Sequence, residues 1–199
     1  KKKKKMKKKK NKKQDILMFP KQLTRETYFA CPIWWADEPS FVDKLNKASD
    51  PYIEQSKKNL KKEINERNKK YGNKGDAGKV FHSTTLVNDP NFLELQNYVI
   101  ATSHNLLIEM GFDLDHYQVF LTELWVQEFA SKGTGYHSLH THWNGHMSGF
   151  YFLKASERTS LPVFDDPRPG NVMNFLQEKD KNTITYASSQ INYQVKPAQ

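Results

Sequence analysis

The chain has 199 residues, of which 37% are hydrophobic and 13% aromatic, enough for one domain with a buried core. Its formal net charge is +9, but 11 of the 31 basic residues lie in residues 1–13, which leaves 20 basic against 22 acidic residues elsewhere. The body of the chain therefore lacks the positive excess of a nucleic-acid-binding domain, and its single cysteine, Cys31, excludes an internal disulfide and a thiolate-rich metal site.

The lysine-rich segment at residues 1–13 predicts a disordered tail, because its charges repel one another and it has almost no apolar side chains. Such a tail either binds polyanions weakly through counterion release or has no function of its own. No apolar run is long enough to span a bilayer, and the tail lacks the features of a secretory signal. We therefore expect a cytoplasmic protein with one folded domain at 14–199, no membrane partner, and no nucleic-acid partner beyond weak binding by the tail.

The first part of the body is predicted to be extended and then helical. Aromatic residues and proline breaks at 16–35 indicate an extended segment packed on a sheet, and Cys31 within it is expected to be a buried structural thiol. Ser40 predicts the N-terminal cap of a short helix that ends near Ala48. Pro51 predicts the first turn of a second helix, which is highly charged and runs along the surface to about residue 70.

A glycine-rich connection and a third helix follow. The three glycines within residues 72–78 predict a loop, which is either a connector or a lid over a site. Asp89 and Pro90 predict the start of the third helix, and Gly111 its end, because apolar residues recur between them at helical spacing.

The second half of the chain is predicted to be rich in strands. Residues 117–129 have apolar side chains at both odd and even positions, as expected for a strand covered on both faces. Helices first and short strands later indicate an α+β chain whose second half is a sandwich or barrel. The further candidate strands are 134–143, 146–154, 161–165, 183–187 and 190–195.

A cluster of histidines is the most specific chemical feature, with four of the seven falling within residues 137–146. His140 and His142 are two apart, so both imidazoles would project from one face of a strand, about 6–7 Å apart. Imidazole is a common ligand for zinc, iron, copper and nickel, so the pair could share one metal ion. Histidines at this spacing also occur as ordinary surface or core residues, and both interpretations stay open on spacing alone.

The neighbours of the pair refine this hypothesis. Asn144 and Gly145 predict a tight turn, which puts the pair at a strand end where functional groups are often displayed. His137 and His146 could each be a third ligand, a partner of a ligand, or simply a polar residue near the strand end. The isolated histidines are expected to be ordinary structural residues: His82, His104 and His116.

Three strings of residues resemble a known family. The sequence GYHSLHTHWNGHMSGFYFL at 135–153, followed by LPVFDDPR at 161–168, is similar to 2-oxoglutarate and Fe(II)-dependent oxygenases with a segment like HSLHxHPxxxxSGxYYL and then DPR. The string HSTTLVNDPNFLELQ at 82–96 looks like the upstream part of the same family. The likeness spans roughly residues 16–197.

The resemblance implies a fold, a metal and a cosubstrate. It implies an α+β double-stranded β-helix of the jelly-roll or cupin-like type, buttressed by N-terminal helices and incomplete at its C-terminal end. It implies Fe(II) bound by His140 and by His142, which stands where the family has a carboxylate, with 2-oxoglutarate as cosubstrate. Trp143 and Asn144 lie beside these ligands and are expected at the edge of the substrate pocket.

The family also has a distal histidine and a basic residue after a strand similar to INYQVKP, which is found here at 191–197. This chain has no histidine after His146. The expected function is therefore a dioxygenase that hydroxylates a small-molecule or other substrate, or a truncated member of that family. The alternative is a degenerate, catalytically inactive β-helix binding module.

Overall fold

The computed structural model describes residues 31–143, 145–156, 159, 161–165, 167 and 192–194. The chain divides into two compact units, and the second comprises Trp35–Leu176 and Gln190–Gln199. Of the described residues, only 31–34 belong to the first unit. The following predictions lie outside the described residues: the tail at 1–13, the pocket-edge residue Asn144 and the strand at 183–187.

One continuous helix, α1 (Val42–Tyr71), follows a single 3-10 turn at Pro39–Phe41. The prediction of two helices separated at Pro51 is wrong, because Pro51 lies inside α1. Proline removes one backbone hydrogen bond and crowds the preceding turn. Packing offsets this cost, because the same face of the helix is buried before and after Pro51. That face carries the buried residues of the helix: Leu45, Ser49, Ile53 and Ser56.

The second helix, α2 (Leu93–Glu109), confirms the third predicted helix. A 3-10 turn at Pro90–Phe92 precedes it, and the Asp89 carboxylate accepts a hydrogen bond from the backbone N–H of Asn91 at 2.9 Å. The hydroxyl of Tyr52 on α1 donates to the same carboxylate, so the start of α2 is tied to α1. None of the described helices is long and apolar enough to cross a membrane.

The hydrophobic core lies where the two helices meet the segments that follow them in the chain. Its buried members are Phe41, Leu45, Leu86, Phe92 and Leu95. The partly buried residues packed around them are Ala48, Tyr52, Tyr98, Val99, Leu124, Val126, Tyr151 and Leu153. Leu86 is only 1% exposed, which makes it one of the most deeply buried side chains described. The core thus holds both helices against residues 124–126 and 151–153.

Two antiparallel strand pairs complete the described structure. Strand β1 (Val80–His82) pairs with β2 (Gln127–Phe129), and β3 (Val163–Asp165) pairs with β4 (Asn192–Gln194). The first pairing continues beyond the strands, because the N–H of Ser83 donates to the carbonyl of Val126 at 2.9 Å. The register, with His82 opposite Gln127, fixes which side chains meet on each face of the ribbon.

The predicted strands are only partly present among the described residues. Of the strand predicted at 117–129, only Gln127–Phe129 is a strand, and the described residues of 134–143 and 146–154 form none. A β-prone sequence becomes a strand only where another backbone pairs with it. Cys31 is exposed, so the prediction of a buried thiol is wrong. The double-stranded β-helix stays a prediction.

Candidate metal centre

The segment that carries the histidines begins at a close backbone crossing. Gly135 is buried, and a Cβ atom on it would lie 2.6 Å from the carbonyl oxygen of Lys79 and 3.2 Å from the ring of Phe129. Only glycine allows the two backbones to approach this closely. The position of Gly135 therefore fixes where the chain enters the histidine segment.

A carboxylate holds the turn just before this crossing. Asp76, in the loop after α1, accepts hydrogen bonds from the backbone N–H groups of Ser131 at 3.0 Å and Lys132 at 3.1 Å. Burial would raise the pKa of Asp76, but these hydrogen bonds outweigh it and lower the pKa below its usual range. Asp76 thus links the loop at 72–78 to the turn at 130–133.

The structure brings together the two histidines that the sequence singles out. The ring centroids of His140 and His142 lie 5.0 Å apart, with an angle of 64° between the ring planes. Both side chains are exposed, and neither residue is in a strand. A metal ion bound to a ring nitrogen at 2.0–2.1 Å lies about 3.2 Å from the ring centre, so two rings on one ion have centroids about 4.5–5.3 Å apart. The observed separation falls within that range.

A backbone hydrogen bond orients one of these rings. The Nδ1 atom of His140 lies 2.7 Å from the carbonyl oxygen of Ser138. A carbonyl only accepts, so we assign the proton to Nδ1, which leaves the lone pair of Nε2 free to bind a metal. Histidine ligands in metal sites commonly donate their other N–H in this way.

A third imidazole borders the pair. The ring of His137 lies 5.9 Å from that of His140 and contacts the edge of Phe129 at a centroid distance of 6.0 Å. Burial, followed by the nearby charges of His140 and His82, lowers the pKa of His137. The ring is therefore kept neutral at lower pH than an ordinary histidine.

His142 is also part of a stack of three rings. The indole of Trp125 stacks with the imidazoles of His82 and His142, with centroid distances of 5.3 and 6.0 Å and interplanar angles of 26° and 22°. Sequence reasoning predicted an ordinary structural role for His82 and did not single out Trp125. Their contact follows from the register of β1 with β2, which puts the two side chains diagonally opposite on one face. Only knowledge of that register would have revealed it.

The surface beside the histidines is open and rich in aromatic side chains. A depression of about 440 Å³ is lined by Tyr136, His137, Ser138 and His140. Trp143, predicted at the pocket edge, is 89% exposed, and Tyr136 is 74% exposed. His146 is exposed as well and has no described contact with the pair. His104 lines a separate depression of about 480 Å³ between α2 and residues 117–119.

The donor set fits half of a metal site. Residues 133–153 contain no aspartate, glutamate, lysine or arginine, so the imidazoles are the only strong ligands in this stretch. Among the described residues, no three histidine, cysteine, aspartate or glutamate side chains are grouped so that they could hold a metal ion. The pair could therefore supply two imidazole ligands, with the remaining positions left to water or to an external ligand.

Comparison with known proteins adds no relative: no family model, curated protein or solved structure matches this chain. The likeness to the oxygenase family thus depends on the strings quoted above alone.

Proposed function

We propose that this chain is a non-haem Fe(II) protein of the 2-oxoglutarate-dependent dioxygenase type, with His140 and His142 as iron ligands. The observation that supports this most is the 5.0 Å separation of the two ring centroids, which suits two ligands of one ion. When bound, Fe(II) would supply, with dioxygen and 2-oxoglutarate, the oxidising power to hydroxylate a substrate C–H bond.

The residues of the chain would orient and poise the ligands. The hydrogen bond from His140 to the Ser138 carbonyl orients the ring and keeps it in the tautomer whose Nε2 can bind a metal. Burial lowers the pKa of His137, which favours the neutral form of this neighbouring ring. His137, whose ring centroid lies 5.9 Å from that of His140, is the proposed candidate for a third ligand.

The absence of charged side chains from residues 133–153 bears on the cosubstrate. Two neutral imidazoles leave the double charge of a divalent metal uncompensated by this segment. An anionic ligand at the metal would be favoured electrostatically, and the dianion 2-oxoglutarate is such a ligand. The cosubstrate would thus supply the charge that a carboxylate in place of His142 supplies in the family.

The exposed rings beside the pair suit an apolar or planar part of a substrate. Trp143 is the proposed contact residue, because its indole is almost fully exposed and directly follows His142. Asn144, the other proposed contact, lies outside the described residues. The cytoplasmic location expected from the sequence stays a prediction.

A second candidate is a metal-free binding module of the same fold. It is favoured by one observation, that no group of three potential metal ligands occurs in the described part of the chain. Metal analysis after reconstitution with Fe(II) separates the two candidates. An absence of bound iron would support the module.

The oxygenase proposal is tested by anaerobic addition of Fe(II) and 2-oxoglutarate to the full chain. We expect a weak visible charge-transfer band that is absent from His140→Ala. His116→Ala is a matched control, because His116 is also exposed but lies outside the cluster, and it should keep the band. Absence of the band from the unaltered chain would reject the proposal.

A further inference from the structure

The two candidate ligands are held in different ways. His140 is oriented by a hydrogen bond to the Ser138 carbonyl at 2.7 Å. For His142, the contacts within the described part of the chain are with rings alone: that of His140 at 5.0 Å and the indole of Trp125 at 6.0 Å. The nearly parallel arrangement with Trp125, at 22°, is the offset stacking that aromatic rings prefer. The orientation of His142 therefore depends on this stack.

Trp125 is well placed to act as a support because both of its neighbours are packed against the core. Leu124 and Val126 pack against the hydrophobic cluster, so the intervening side chain points to the opposite side of the extended backbone. The carbonyl of Leu124 accepts from the N–H of Leu86 at 2.7 Å. The N–H of Val126 donates to the hydroxyl of Ser83 at 3.1 Å. The backbone that carries the indole is thus fixed on both sides.

His82 is a second ring that stacks with the indole. Its ring stacks on Trp125 at 5.3 Å, and its Nδ1 lies 2.6 Å from the carbonyl oxygen of Ser83. Its backbone N–H donates to the hydroxyl of the buried Ser56 on α1 at 3.1 Å. A continuous series of contacts therefore runs from α1 through His82 and Trp125 to His142.

We infer that Trp125 is a positioning residue, which fixes the plane of the His142 ring for metal binding, and that His82 holds the indole in place. This role rests on the proposed metal-binding function of His140 and His142. It assigns a task to two residues that lie outside the ligand motif. It also gives a support to an exposed imidazole that has no hydrogen bond from the described residues.

The stack itself is tested without any metal, from the NMR shifts of the His142 ring protons. The ring current of Trp125 should move these signals upfield in the unaltered chain. Trp125→Phe keeps a ring and should retain part of the shift, whereas Trp125→Leu fills apolar space without a ring and should abolish it. Trp35→Ala is the control, since its indole is 78% exposed and it should leave the His142 signals unchanged. Signals in the unaltered chain that show no such shift would overturn the inference.

The effect on ligation is tested by calorimetric titration with Zn²⁺ alone. Trp125→Leu should weaken binding about tenfold and Trp125→Phe about twofold, in the range found for stacking and for residues that orient metal ligands. His82→Ala should weaken it about two- to threefold, because the indole keeps its own backbone anchors. Binding by Trp125→Leu that equals binding by the unaltered chain would overturn the positioning role, provided that its circular dichroism is native. Failure of the unaltered chain to bind Zn²⁺ would instead reject the proposed function, and the ring shifts would still decide whether Trp125 fixes His142.

Discussion

Two regions of the molecule differ in how their side chains are held: the helical part, formed by α1, α2 and the core that they share, and the histidine segment at 136–143. In the helical part, Leu45 and Leu86 are 2% and 1% exposed and contribute to one hydrophobic cluster. In the segment at 136–143, Leu139 is 77% exposed and Trp143 is 89% exposed. Burial stabilises the first region, whereas the second displays ligand groups on little apolar packing of its own. The histidine segment therefore depends on a few anchors: the crossing at Gly135, the Asp76 clamp and the Trp125 stack.

The largest expected effect comes from opening a cavity in the helical core. Leu86→Ala should lower the free energy of unfolding by about 2–5 kcal/mol, because a fully buried leucine loses its contacts and leaves a void. Leu139→Ala makes the same chemical change on the exposed segment and should cost less than about 0.5 kcal/mol. Urea unfolding of both variants measures the difference. Equal losses would show that the two regions are not held differently.

A smaller effect is expected at the crossing that joins the two regions. Gly135→Ala should cost about 1–3 kcal/mol, because the new methyl group would meet the Lys79 carbonyl and force the backbones apart. Gly149→Ala is the matched control, since a Cβ there has no neighbour within 4 Å. Thermal unfolding gives the stability change, and the His140 ring signals report displacement of the segment. Unchanged stability and unchanged ring signals in Gly135→Ala would argue against this anchor.

Asp76→Asn should lower the free energy of unfolding by about 1 kcal/mol. It removes the ionised carboxylate that accepts hydrogen bonds from the backbone N–H groups of Ser131 and Lys132. The pKa of Asp76 is lowered in the folded state, so its stabilisation is present above the ordinary carboxyl pKa of about 3.9. It is lost as the pH falls through the lowered value. The difference in unfolding free energy between the unaltered chain and Asp76→Asn should therefore shrink below about pH 4. A difference that is constant between pH 2 and 7, chosen as the limits of the titration, would contradict this role.

The smallest effect is expected from a surface ion pair between the helices. The Nζ atom of Lys44 lies 2.7 Å from the Oε2 atom of Glu94, but the two side chains are 57% and 60% exposed. Lys44→Ala should change the free energy of unfolding by less than about 0.5 kcal/mol, and added salt should remove even that. A loss comparable to that of Leu86→Ala would show that charges, rather than apolar burial, hold the helices.

Local sequence signals predicted the features that local physics determines. Asp89 and Pro90 mark the turn that leads into α2, because a capping carboxylate followed by proline acts within a few residues. The rings of His140 and His142, two positions apart, do lie close together at 5.0 Å, although neither residue is in the strand that the sequence predicted. Pro51 misled the prediction, since packing of the α1 face carries the helix past it.

Features that depend on distant segments could not be read from the sequence. The contact of His82 with Trp125 requires the register of β1 on β2, which joins residues more than forty positions apart in the chain. The same limit applies to the run at 117–129, where only Gln127–Phe129 pairs as a strand in the described residues. Periodicity indicates that a segment could be a strand, but a partner backbone decides whether it is one.

The central claim, that two adjacent imidazoles on an exposed segment bind one metal ion, is tested most directly by anaerobic titration of the full chain with Fe(II). We predict that the unaltered chain binds one Fe(II) ion, and that His140→Ala and His142→Ala each weaken binding at least about tenfold, because each removes one of two protein ligands. The His116→Ala variant should bind as the unaltered chain does. Equal affinity in the unaltered chain and in both ligand variants, or no binding by any of them, would contradict the account.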